Sequence, residues 1–423
     1  MVNVDISNVW GAVSLPELLG REREVFDAHQ KLRNHQAGGP DFLTWLAQPD
    51  HVLARWIHGI RRAAEQIVAD SDLLLVCGVT EAALGARGAI DLYGGAKRNL
   101  LHSPQVYFVG GSLSSRQWLE LSSLLEERDY SLLLVSPTGQ DLGVNLTARG
   151  LRWMMERKYG AAAKNRIFVA TKVGTPLHRM GQEEGYELFP LPRELGGAGS
   201  VFSAGGLIPM AVAGIDPLAV VEGAVEQYEA ADIRSFENPA WLYAAARSVL
   251  SSKGRDREIL CCFDHSLASL GRWWQRVTWM WQDQSTMLTP ETALLPGDLT
   301  GLEALTRTGR VFETALHFAP IAKKVPVEMD WKDYDGLGFL SGRTWEDVER
   351  QTAEALVYTH TLAGTPLIDL DAGELTAEAV GGLFAFLELS SALTALLCGG
   401  DPFTPVTGPA VPAALNRLRD GEM

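Results

Sequence analysis

Apolar residues recur at three- and four-residue spacing through LPELLGREREVFDAHQKL and WLAQPDHVLARWIHGIRRAAEQIV, which predicts a helical start to the chain. The pattern then changes to short apolar runs: Leu73–Cys77, Val106–Gly110, Ser131–Val135, Arg166–Ala170 and Tyr186–Leu191. Helical stretches such as LSSRQWLELSSLLEE separate them. Strands alternating with helices predict βαβ units and a parallel sheet. A Gly-rich bridge, LGGAGSVFSAGGLIPMAVAGID, leads to long helices and a second strand set, clearest at Arg257–Phe263 and Thr365–Leu370. Pro and Gly in DPFTPVTGPAVP mark a loop before a short final helix.

In an open parallel sheet, ligands bind beyond the carboxyl ends of the strands, where loops enter helix N-termini. Unpaired N–H groups and a partial positive charge there suit an anion. Two segments hold that place: Cys77 to Gly85 after the first strand, and Ser136 to Asp141 after the third. Read alone, each is first a turn, the Gly after the strand more often marking a tight turn than a ligand contact and Ser-Pro-Thr-Gly leading into a helix cap.

At 423 residues the chain exceeds one compact core and suits two packed α/β units. A formal net charge of -15 argues against nucleic acid and anionic membranes as partners, since both need a basic patch. The four cysteines, Cys77, Cys261, Cys262 and Cys398, form no CxxC pair and no metal spacing. Reduced thiols, a cytoplasmic location, and no metal or cofactor are therefore expected. The start, MVNVDISNVWG, has neither a basic nor an apolar signal region. GLFAFLELSSALTALLCGG is apolar but interrupted by Glu388, so a core helix is expected rather than a membrane span.

Taken in order, these segments resemble the phosphoglucose isomerase family in its shorter bacterial form. GVTEAALGARGAI stands where that family has G-I-G-G-S-x-L-G-A-R-A-A-I, and FVGGSLSSRQWLELSSLL is similar to its F-V-G-N-N-L-S strand and helix. SPTGQDL takes the place of the S-K-S-G-T-T-T-E-T phosphate loop. EEGYELFPLPRELGGAGSVFSAGG resembles the signature around G-G-R-F/Y-S. NPAWLYAAARSVLSSKG, Trp273-Trp274, RVFETAL, DGLGFLSGRTW and DPF follow in family order. The resemblance implies an α/β fold of two sugar-isomerase-type domains, each a parallel sheet flanked by helices. The divisions expected are a helical segment at 1–64, α/β domains at 65–195 and 196–385, and a C-terminal helix and tail at 386–423. It also implies a homodimer acting on a small molecule.

The family reaction moves a proton between two carbons, which needs a carboxylate base, an Arg for the developing anion, ring-opening acid–base groups and a phosphate cradle. Carried over residue by residue, the Arg of G-G-R is Ala198, and the Glu after the Trp pair is Met280. The His of D-L-H-S is Thr300, and no Lys follows Asp401-Pro402-Phe403. In the cradle the Lys is Pro137, later Thr positions are Asp141 and Val144, and a Gly-Ser pair has become Glu81-Ala82. Asp283 is the one carboxylate near the lost base.

Two features stand in those places. Glu81 and Asp141 either cap two helices with the protein's own carboxylates or form a dyad that binds an amine or serves as acid and base. Trp279, Met280 and Trp281 are expected to line an apolar pocket, whereas Trp273 and Trp274 also suit core. Candidate catalytic positions are thus Glu81, Asp141, Asp283 and Thr300. Gly78, Thr80, Ser136, Thr138, Ser200 and the Trp279–Trp281 run are the expected binding positions. Three readings stay open: a recruited enzyme with isomerase, cyclase or lyase chemistry on a non-phosphorylated, partly apolar molecule, a glucose-6-phosphate isomerase with displaced residues, and a non-catalytic binding protein.

Overall fold

The computed structural model describes residues 1–33, 46, 48–192, 198–281, 288–319, 323–329, 332–402 and 416–419. Asp283, Gly196, Gly197 and Phe403 lie outside them. A short strand, β1 (Asn3–Asp5), precedes helices α1 (Leu15–Gly20), α2 (Glu22–Arg33), α3 (Gln48–Arg55) and α4 (Ile57–Asp70). The first α/β run is β2 (Leu73–Cys77), α5 (Glu81–Gly94), α6 (Arg98–Leu101), β3 (Gln105–Val109), α7 (Ser115–Glu126) and β4 (Tyr130–Val135). It continues through α8 (Leu142–Tyr159), β5 (Ile167–Lys172), α9 (Pro176–Glu184) and β6 (Glu187–Leu191). Helices α10 (Ala204–Val212), α11 (Pro217–Ala230) and α12 (Pro239–Ser252) lead to β7 (Arg257–Cys262), α13 (Ala268–Met280), β8 (Thr289–Leu294), α14 (Leu299–Thr306) and β9 (Val311–His317). Helix α15 (Trp345–Leu362), β10 (Leu367–Asp371) and α16 (Ala377–Leu397) follow.

The first sheet runs β3-β2-β4-β5-β6, all parallel, with Leu73 of β2 opposite both Gln105 and Tyr130. Both faces of β2 and β4 are buried, which is why these strands read as unbroken apolar runs rather than alternations. Successive residues serve different cores. Leu73, Leu75 and Cys77 pack with Val144, Leu151 and Met155 of α8, whereas Leu74 and Val76 join a core that also holds Trp241, Trp273 and Phe384. That larger core runs without a break into the second half of the chain.

The second sheet is ordered β1-β10-β9-β7-β8. Four strands are parallel; β1 is antiparallel at the edge, Asn3 opposite Asp371. The chain start, expected to be wholly helical, therefore contributes a strand to the later sheet. Three residues carry too little pattern to reveal a strand, and pairing with β10 supplies what local sequence lacks.

Two further strands were hidden by polar residues. In β9, Glu313 and Thr314 interrupt the apolar run, yet both are buried, because Glu313 pairs with His360 Nδ1 at 2.8 Å and Thr314 donates to Glu258 at 2.8 Å. β8 is an edge strand, which tolerates Pro290.

Helix α16 crosses the division expected at 385/386. It is buried continuously from Val380 to Ala395, and a helix apolar on every side belongs in a core. By length and hydropathy it matches a membrane span, but 89% of its most apolar window is buried in the protein. Its fit against α11 depends on glycine: a Cβ on Gly381 would lie 1.8 Å from the Val220 carbonyl oxygen.

Candidate functional site

In the first sheet β3 and β4 lie on opposite sides of β2, so the order reverses between β2 and β4. Chains leaving neighbouring strands there diverge to opposite faces and open a crevice. The two exits touch at the base of that crevice: a Cβ on Gly78 would meet the Val135 carbonyl oxygen at 2.8 Å. Gly78 donates its N–H to Val109 O at 3.1 Å.

Thr80 occupies the N-cap position of α5 without a side-chain cap bond. Its Oγ1 is buried with no partner among the described residues. Glu81 begins the helix, where the partial positive charge of the N-terminus favours a carboxylate. It is not the cap; instead its Oε1 accepts a hydrogen bond from Arg276 Nε at 2.6 Å. The Glu81 side chain is 9% exposed and that of Arg276 46%. Arg276 sits on α13, which packs along α5 and so carries a guanidinium from the second half of the chain to the first sheet's crevice.

Across the crevice, Asp141 occupies the N-cap position of α8 but makes no side-chain bond to the helix. Its Oδ2 accepts from the Ser136 hydroxyl and from Thr138 Oγ1 at 3.5 Å. Ser136 is fully buried and in turn accepts from the Gly139 N–H at 2.9 Å. The loop after β4 is thus folded around the protein's own carboxylate. Glu81 and Asp141 are compensated differently, one by a cation and the other by hydroxyls.

The aromatic run divides. Trp279 is 48% exposed, Met280 is half-buried against the larger core, and Trp281 lies within that core at 4% exposure. Trp281 was expected to line the pocket; it falls four residues after Val277 and seven after Trp274, on the buried side of α13, and packs inward with them. Trp273 and Trp274 are fully buried. Ser200 is buried beside α5, its carbonyl accepting from Ser203 Oγ at 2.6 Å. Thr300 is exposed in the first turn of α14, which packs on β8 and β9.

The buried cysteines are unsuited to nucleophilic work, since burial pushes the Cys77 and Cys262 thiols up to about 12 and raises that of Cys261 well above its ordinary value. Among the described residues no group of three or more His, Cys, Asp or Glu could hold a metal ion. A cavity of about 240 Å³ lies elsewhere, between Met1, Gln227 and Glu378, and none of the crevice residues lines it.

Sequence reading missed Arg276. The signal was present: an Arg four residues before Met280 shares a helix face with it. What sequence lacked was the partner, since Glu81 is 195 residues away.

One parallel sheet and one parallel but for its edge strand β1, both flanked by helices, with the crevice at a reversal of strand order, define a protein of the sugar-isomerase fold. No family model matches the chain. Among curated proteins it is 30% identical to the glucose-6-phosphate isomerase of Fusobacterium nucleatum over 411 residues, covering 95% of this chain and 92% of that one. It is 32% identical to the Clostridioides difficile enzyme with the same coverage. The chain belongs to the glucose-6-phosphate isomerase family. Among solved structures, a hypothetical protein from Thermus thermophilus superimposes with a TM-score of 0.85 at 21% identity, covering 99% of each chain. A glucose-6-phosphate isomerase from Chlamydia trachomatis gives 0.75 at 15% identity, covering 96% of this chain and 84% of that one.

Proposed function

We propose that this chain is a recruited member of its family, acting by isomerase-, cyclase- or lyase-type proton transfer on a non-phosphorylated, partly apolar small molecule. The carrying observation is the Asp141 carboxylate held by Ser136 and Thr138 in the loop after β4. A fixed negative charge there repels a phosphate dianion that the loop's hydroxyls would otherwise attract. Glu81 adds a second carboxylate on the neighbouring exit, and Trp279, three residues after Glu81's partner Arg276 on α13, offers exposed apolar surface. A coupled assay with fructose 6-phosphate tests the reading: no turnover above the protein-free rate is expected, and steady turnover would end it.

A second reading, glucose-6-phosphate isomerase activity with displaced residues, is favoured by 30–32% identity over nearly the whole chain. The same assay decides between the two.

Homodimerisation belongs to the proposal as well. Tyr334, Phe339 and Trp345, in and beside the segment leading into α15, are 81%, 69% and 64% exposed, an apolar surface suited to a second copy. Light scattering is expected to give twice the mass of one chain, with Phe339→Asp shifting the population to monomer. A monomeric wild-type protein at micromolar concentration would refute it.

A further inference from the structure

Helix α13 turns an unusual pair of side chains toward solvent beside the crevice. Arg276 and Trp279 are three residues apart and hence on one face, and both are about half exposed. The other tryptophans of this stretch, Trp273, Trp274 and Trp281, are all buried in the core. A large aromatic left in water on the same helix face as a cation, three residues away, offers a ligand apolar area and a π-face.

Arg276 is not an ordinary surface arginine. Glu81, fixed at the start of α5 and nine-tenths buried, takes its Nε–H. Among the described residues Glu81 is its one partner, so the edge of the guanidinium that carries both Nη groups stays open. A guanidinium gripped along one edge is already oriented, and two parallel Nη–H bonds match a carboxylate in a fork. Orientation before binding removes much of the entropy that a mobile arginine loses on capturing an anion.

Charge limits the anion. Glu81 and Arg276 cancel, and Asp141 leaves the crevice negative on balance. That net charge repels a dianion about twice as strongly as a monoanion, and a monoanion's carboxylate regains a bidentate pair with the Nη fork while the rest of the molecule covers the Trp279 indole.

We propose that Arg276 and Trp279 form a recognition site for the carboxylate of an aromatic or similarly apolar monocarboxylic acid, with Glu81 as the residue that positions the arginine. The inference rests on the reading of the crevice as a site for a non-phosphorylated ligand and adds the ligand's charge and shape.

Isothermal titration of the full chain with benzoate, benzamide and phenyl phosphate as probes tests it. Benzoate is expected to bind at least about tenfold tighter than neutral benzamide, and phenyl phosphate no tighter than benzoate. Arg276→Lys keeps a cation for Glu81 but removes the fork; about a tenfold loss of benzoate affinity is expected with the melting temperature unchanged. Trp279→Ala, at an exposed position, should weaken benzoate and benzamide alike. Equal binding of benzoate and benzamide, no benzoate binding, or undiminished affinity in Arg276→Lys would each overturn the inference. Turnover of fructose 6-phosphate would instead overturn the reading beneath it, so the two failures are separable.

Discussion

Asp141 shows how a single carboxylate changes what a loop accepts. Ser136 and Thr138 are the residues that would hold an anion after β4, and both spend hydroxyl hydrogen bonds on Asp141. Removing that carboxylate frees the hydroxyls and lifts the repulsion. Asp141→Ser is therefore expected to bind inorganic phosphate at least about tenfold tighter than the unaltered protein, measured by calorimetry. Unchanged phosphate affinity would mean that Asp141 does not guard the loop. The residue types at 81 and 141 were readable from sequence alone, but their partners were not. A carboxylate beside a helix start reads as a cap, and only the fold brought the Arg276 guanidinium against Glu81.

Among the elements, α16 and α11 illustrate how small residues set an approach distance. Gly381 lies against the Val220 carbonyl, and Gly223 against the Glu378 carbonyl, where an added Cβ would stand 2.1 Å away. Backbone cannot yield as a flexible side chain does. Gly381→Ala is expected to destabilise the fold by about 2 kcal/mol or more, seen as a lowered midpoint in chemical denaturation. A midpoint within error of the wild type would show that the helices can part at little cost. The same scale explains which elements were legible. β2 and β4 are buried on both faces and so stand out as apolar runs; β8 and β9 carry Pro290, Glu313 and Thr314, whose accommodation depends on sheet position and distant partners.

Across the whole molecule, two buried groups tilt stability with pH in opposite directions. Glu388, in the middle of α16, accepts from Tyr228 Oη at 2.8 Å, and burial raises its carboxyl from 4.5 to about 8. The folded protein keeps it protonated where the unfolded chain ionises, so its contribution is full below pH 4.5 and is lost as pH rises toward 8. Glu388→Gln retains an acceptor for Tyr228 and is expected to flatten the alkaline limb of a stability–pH profile between those values. His29 works the other way. Its Nδ1 accepts from Trp241 Nε1 at 2.6 Å, and burial lowers it from 6.5 to about 4, so stability falls as pH drops through that range. Melting temperatures at half-unit pH steps check both; an alkaline limb identical in Glu388→Gln would remove the carboxyl from the account.

The order and type of most elements, the placement of turns after β2 and β4, and the burial of α16 all follow from local pattern. Period and apolar runs are properties of neighbouring residues, and so they survive in a linear string. The assignment of Asn3–Asp5 to the later sheet, the turn of Trp281 into the core while Trp279 faces water, and the meeting of Glu81 with Arg276 were settled by tertiary structure. Each depends on residues far apart in the chain being brought within hydrogen-bond or packing distance, and no local period encodes such a meeting.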